Sequence, residues 1–374
     1  MNEYLEGSVR QLIERGRQLT ATIPRNLPRD YDTLARTCRE KLIQLNEQLR
    51  SLLDDPRFSY LKHQPERLRS FKRLVAELDL IETMGIAALD RANDEDHKLN
   101  SLLETITREI AYPFETPVVT TLSQQYFCIV TDLNLLCVPL AEGRFLLHLP
   151  DLYHELAHPL LTLLDDPIVE PFQNAMLFAL QETIEYLDAE SIKQDRRRGP
   201  ERPTITLQRW KICWVKYWMV EFFCDLFAVL VLGPAFAWSH FHLCAKRGQN
   251  PFDVPLFGTS SHPADDARMR VMIVALKNAG FASAADNIAK RWSDLVGLSG
   301  YILEPEYHQC FPDSVLESIS RHALSGVSNI GCRIASPSTA DQVHSALNSA
   351  WEQFWLRPTE YVEWERAEVT RMIS

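Results

Sequence analysis

The chain has 374 residues, 46% of them apolar and 24% charged, with a formal net charge of −11. That composition is globular and can bury a sizeable core, in two or three domains or in one large helical body. The acidic balance lacks the basic footprint of a nucleic-acid binder and offers no attraction to an anionic membrane surface, so neither partner is expected.

The first residues, MNEYLEGSVRQLIERGR, mix acids and arginines without an apolar stretch, so no secretory signal is expected. Residues 1–112 read as an N-terminal helical region. Leu34, Cys38, Leu42, Leu45, Leu49 and Leu52 recur at three- and four-residue spacing, an amphipathic stripe over Tyr31 to Leu53. The pattern repeats over Pro65 to Leu89, with the proline suited to a first helical position. Asp94 to Ala111 adds a helix after an acidic start. Such helices pack on their own stripes; they could also dock a protein partner or gate a site.

From Pro113 the texture changes, and 113–300 is read as the core region. Residues 118–121, 126–131, 135–138 and 145–149 are short β-like runs, the last two separated by a turn over Pro139 to Gly143. Pro150 and Asp151 then open a helix to Leu164, with Asp151 as N-cap. Helices broken by Gly and Pro follow, with Arg196 to Pro203 an exposed loop, and 301–374 forms a C-terminal helical region. Tyr217 to Trp238 is the most apolar stretch. Its longest uncharged run, Leu226 to Trp238, is too short for a bilayer about 30 Å thick, so a buried helix is expected and not a membrane span. Eight cysteines, at 38, 128, 137, 213, 224, 244, 310 and 332, form no C-x-x-C pair and read as reduced thiols of a cytoplasmic protein.

The chemistry starts at His154-Glu155-Leu156-Ala157-His158, an H-E-x-x-H motif in a helix-compatible segment. Four-residue spacing puts both imidazoles on one helix face, one turn apart, where they can share a metal ion. Glu155 is too close to His154 to bind the same ion comfortably, and can instead take a proton from water activated by the metal. Pro159 disfavours helical geometry at His158, which predicts a kink or a frayed end there. The second constellation is Glu221-Phe222-Phe223-Cys224-Asp225 in an otherwise apolar helix. Trp210, Trp214, Trp218 and Phe222 form one row, and Cys213, Tyr217, Glu221 and Asp225 the next. Two carboxylates buried on one row demand cationic compensation. Zinc supplies it, with Glu221 as third ligand and Asp225 accepting the outward N–H of a histidine; arginines or lysines are the competing source. His240 and His242, two apart, face different ways and are weak ligand candidates, and His148 reads as core packing.

H-E-x-x-H followed by E-x-x-x-D is similar to the gluzincin metallopeptidases. More narrowly, EFFCD and the later Ser261-His262-Pro263-Ala264-Asp265-Asp266-Ala267-Arg268-Met269 resemble the group typified by HtpX and the CAAX prenyl endopeptidase. Ala264 stands where that group has a second proline, Met269 where it has isoleucine, and Cys224 where it has alanine. The likeness covers roughly residues 149–276. It implies that His262 stabilises a tetrahedral oxyanion and that Arg268 orders the acidic groups. The expected fold is therefore mainly α, a helical bundle with a small β element beside a gluzincin-type zinc helix. The expected activity is zinc-dependent hydrolysis of a polypeptide substrate, which could add as a strand along residues 145–149. A non-catalytic scaffold with a structural zinc and a zinc hydrolase of a small molecule remain as other readings.

Overall fold

The leucine stripe of residues 31–53 is where the fold is easiest to derive. In the computed structural model, Leu34, Cys38, Leu42, Leu45 and Leu49 are wholly buried on one face of a helix running Asp32–Asp54. The structure describes residues 2–24, 26–123, 126–163, 166–198 and 205–373, and it is mainly helical with one small sheet. No described helix is long and apolar enough to cross a membrane. The chain divides into two compact units, Met1–Ser101 with Thr116–Leu140, and Leu102–Glu115 with Ala141–Ser374.

The first unit holds helices α1 (Asn2–Thr22), α2 (Asp32–Asp54), α3 (Gln64–Leu80) and α4 (Ala87–Arg91), and the start of α5 (Asp94–Glu109). Residues 65–89 do not form one α-helix: a π-helical segment, Ile81–Ile86, joins α3 to α4. The strands are β1 (Val118–Ser123), β2 (Cys128–Val130) and β3 (Leu135–Pro139), in the order β1-β3-β2. β1 runs parallel to β3, with Val118 opposite Leu135, and β2 is antiparallel, with Ile129 opposite Leu136. Val118, Leu133, Leu135 and Cys137 complete the core begun by the α2 stripe.

The second unit continues with α6 (Asp151–Thr162), α7 (Glu170–Arg198), α8 (Ile205–Cys213), α9 (Met219–Leu232), α10 (Pro234–Arg247), α11 (Asp265–Asn278) and α12 (Ala282–Ser299). It closes with α13 (Pro305–Cys310), α14 (Asp313–Asn329), α15 (Gln342–Leu356) and α16 (Tyr361–Ile373). α9 is central: α6, α11 and α14 all pack on it. From Phe222 to Leu232 every α9 residue is buried, as a helix apolar on all sides requires. Gly233 ends it with a φ of 84°, which only glycine adopts cheaply. Asn348 closes that break, donating to the Leu232 carbonyl at 2.9 Å and accepting from the Ala235 N–H at 3.0 Å.

Three expectations are corrected here. Residues 145–149 are not a strand. The His148 N–H bonds the Phe145 carbonyl at 3.0 Å and the Asp151 N–H bonds the His148 carbonyl at 3.1 Å, a run of turns leading into α6. A short apolar run fits a buried strand and a buried turn equally well, and the paired strands all lie in the other unit. No strand edge is therefore offered beside the H-E-x-x-H helix by these residues. Asp151 is not the N-cap of α6 but its first residue, and its carboxylate accepts from Ser239 Oγ at 2.9 Å. Of the expected loop at Arg196 to Pro203, residues 196–198 end α7 and 199–203 lie outside the described residues, as does Leu164.

Candidate metal centre

α6 carries His154 and His158 one turn apart, with ring centroids 5.1 Å from each other. The helix runs through Pro159 to Thr162. Pro159 has no N–H to give the Glu155 carbonyl, while Thr162 Oγ1 donates to the His158 carbonyl at 2.8 Å. His158 is thus not at a frayed end.

α9 faces these imidazoles with Glu221, Cys224 and Asp225, all within two turns. A π-helical turn at Trp214–Trp218 precedes α9 and inserts an extra residue into the rows expected from the sequence. Tyr217 is consequently 39% exposed, out of phase with Asp225, which is fully buried. The aromatic row survives as a stack, with Trp214 and Phe222 centroids 5.2 Å apart.

Asp225 is bound on two sides. Arg268 of α11 donates Nε to Oδ2 and a terminal nitrogen to Oδ1, both at 2.6 Å, and His154 Nδ1 lies 2.9 Å from Oδ1. Part of the compensation that the sequence assigned to zinc is therefore supplied by Arg268. Burial opposes the charge on Asp225, but Arg268 and His154 outweigh it and hold the carboxyl well below its ordinary range. With Nδ1 donating to Asp225, His154 keeps Nε2 as the nitrogen that can ligate a metal once its proton is released.

That Nε2 points at Glu221, 3.5 Å from Oε2, and His262 Nε2 lies 3.7 Å from the same oxygen. Both separations are long for charge-assisted hydrogen bonds. They match the spacing of about 3.4 Å between two donors on a tetrahedral ion with bonds of about 2.1 Å. Glu221 is only 15% exposed in its side chain. Burial disfavours its charge, yet His154, Arg268 and His262 pull its pKa down to about 2. Burial likewise disfavours charge on His154, but Asp225 and Glu221 outweigh it and raise the imidazole to about 10. Burial and the neighbouring His154 push His158 down to about 4. The pocket thus favours positive charge between Glu221 and His154 and keeps His158 neutral, the form that ligates a metal.

Cys224 was passed over in the sequence, although it adjoins Asp225 on the same helix. Its Sγ lies 3.5 Å from His158 Nδ1. The Nδ1 atoms of both imidazoles therefore meet adjacent residues of α9. By distance alone Cys224 could also join His154 and His158 around an ion, with one donor atom from each within 4.8 Å of the others. Glu221 lies outside that close group and faces the Nε2 of His154. The buried Cys224 thiol is pushed well up by burial and by the charges of Glu221, Asp225 and Glu155.

Glu155 is 9% exposed, and its charge helps to raise the Cys224 thiol. His262 sits in the loop before α11 with its side chain 60% exposed. Trp218 Nε1 holds that loop through the Ser260 carbonyl at 3.0 Å, and Ser261 Oγ meets His262 Nδ1 at 2.9 Å. α11 begins at Asp265, three residues after His262. Of the other histidines, His242 packs against Trp351 and His148, while His240 is buried elsewhere on α10. His154, Glu155, His158, Glu221, Asp225, His262 and Arg268 are thus gathered from α6, α9 and the start of α11. Comparison with protein-family models, with curated proteins and with solved structures gives no match.

Proposed function

We propose that the chain is a zinc-dependent peptidase of the gluzincin type, with His154, His158 and Glu221 as ligands. The observation that carries this reading is the orientation of His154, with Nδ1 on Asp225 and Nε2 spaced from Glu221 as two donors to one ion are spaced. The donor set of two imidazoles and one carboxylate fits zinc with one position left for reaction. Zinc, when bound there, supplies Lewis acidity, polarising a carbonyl and lowering the pKa of water.

The chain's own groups do the rest. Glu155 takes the proton of the attacking water and delivers it to the leaving amine. His262, with its side chain 60% exposed at the edge of the site, donates to the reacting oxygen as negative charge develops. Asp225 fixes the ring of His154, and Arg268 fixes Asp225. The exposure of His262 opens the site on its side, which favours a polypeptide; the loss of the strand at 145–149 favours a small-molecule substrate instead. Digestion of an unbiased peptide library separates the two. Cleavage that a chelator abolishes and added zinc restores is the expected result. A zinc-loaded chain that cleaves no library member would refute the peptidase reading.

A further inference from the structure

A second set of donors lies outside this centre. His240 and Cys244 are four apart on α10, one above the other on one face. Cys244 Sγ is 3.5 Å from His240 Nε2. Asp265, the first residue of α11, lies beside both: its carboxylate is near enough to raise the Cys244 thiol, and its backbone carbonyl approaches His240 Nε2 at 3.2 Å. One donor atom from each of His240, Cys244 and Asp265 lies within 4.8 Å of the other two. His240 is 3% exposed. Cys244 and Asp265 line a cavity of about 310 Å³ together with Pro251, Trp292 and Tyr301.

The chemistry of the three donors is complementary to one ion. Burial, with the nearby Asp265 carboxylate, keeps the Cys244 thiol protonated. A divalent cation replaces the proton: Cys244 releases H⁺ to solvent, and the two anionic ligands neutralise the two positive charges. Imidazole nitrogen, thiolate sulfur and carboxylate oxygen are together the ligands of zinc and not of calcium or magnesium, which take oxygen alone. Three protein donors leave a fourth position, and the cavity that two of them line has room for a small ligand to fill it.

We propose that His240, Cys244 and Asp265 form a second zinc site, with its fourth position completed from the adjoining cavity. The site is independent of the peptidase reading. It differs from the first centre in having a thiolate ligand, and cobalt(II) makes that difference visible. Cobalt bound to sulfur gives a near-ultraviolet charge-transfer band that a centre of imidazoles and carboxylate lacks.

The test is titration of the chelator-stripped full chain with Zn²⁺ and, in parallel, with Co²⁺. The wild type should take up about two ions per chain and show the thiolate band. Cys244→Ser should lose the band and one ion while keeping the His154-dependent ion, which also reports that the chain is folded. Asp265→Asn, which leaves thiol and imidazole in place, should keep the band and bind that ion on the order of tenfold or more weakly. In His154→Ala the band should persist at full strength; if the ion count does not fall there, the first centre is wrong and this one is untouched. Absence of a band in the wild type, a band surviving in Cys244→Ser, or a band lost in Cys224→Ser would overturn the proposal.

Discussion

Two aspartates, Asp96 and Asp225, are equally buried, at no measurable exposure, and lie on helices of different units. Their surroundings differ in kind. Asp96 is wrapped by neutral donors: the Tyr31 hydroxyl at 3.1 Å, the Thr121 N–H at 3.1 Å and the Thr121 hydroxyl at 2.9 Å. Asp225 meets a guanidinium and an imidazole, and its neighbour Glu221 faces two further imidazole nitrogens without reaching either closely. Neutral donors satisfy a carboxylate and close the account, tying α5 to β1 and leaving nothing for a ligand to add. Imidazoles gathered around carboxylates can release protons when an ion takes their nitrogens as ligands. Burial of an acid is therefore weak evidence for function until its partners are named.

Glu155→Gln gives the largest effect expected of this contrast. It should leave zinc content and melting temperature unchanged while peptide hydrolysis falls by about a hundredfold or more, as loss of a general base requires. Unchanged turnover would remove Glu155 from the mechanism. His262→Phe should lower kcat by about a hundredfold, with KM and zinc content little altered, because an oxyanion donor acts only once charge has developed. Loss of zinc in that variant would instead make His262 a ligand, which its 3.7 Å approach to Glu221 allows.

The two aspartates themselves give the smaller and sharper test. Asp225→Asn should weaken zinc binding by roughly ten- to a hundredfold and, by leaving Arg268 buried without its anion, cost about 3–5 kcal/mol of stability. Adding Arg268→Met should recover stability but not zinc affinity. Asp96→Asn should cost about 1–3 kcal/mol through mismatched buried donors and leave zinc affinity unaltered. Equal zinc affinities for the two single variants, measured by competition with a chelator of known strength, would erase the distinction drawn here.

What was legible in the sequence was whatever repeats along one element. The α2 stripe, the four-residue spacing of His154 and His158, and the pair Glu221 and Asp225 each lie on a single helix, where spacing alone fixes direction. The rest depended on context. Phe145 to Leu149 has the composition of a strand, but a strand needs a partner, and among the described residues none of the paired strands belongs to that unit. The row through Cys213, Tyr217 and Glu221 assumed an unbroken α-helix, and the π-helical turn at Trp214–Trp218 shifts its phase. Arg268 as the partner of Asp225 could be guessed only through the H-P-x-x-x-x-R likeness. The grouping of His240 and Cys244 with Asp265 had no signal, because α10 and α11 meet only in three dimensions.

The central claim is that Glu221, and not Cys224 or His262, completes the ligand set begun by His154 and His158. Zinc per chain, measured by elemental analysis on purified wild type and Glu221→Ala, tests it most directly. The variant should hold about one zinc fewer than the wild type, as removal of a third protein ligand from a three-ligand site requires. Equal zinc in the two proteins would contradict the account.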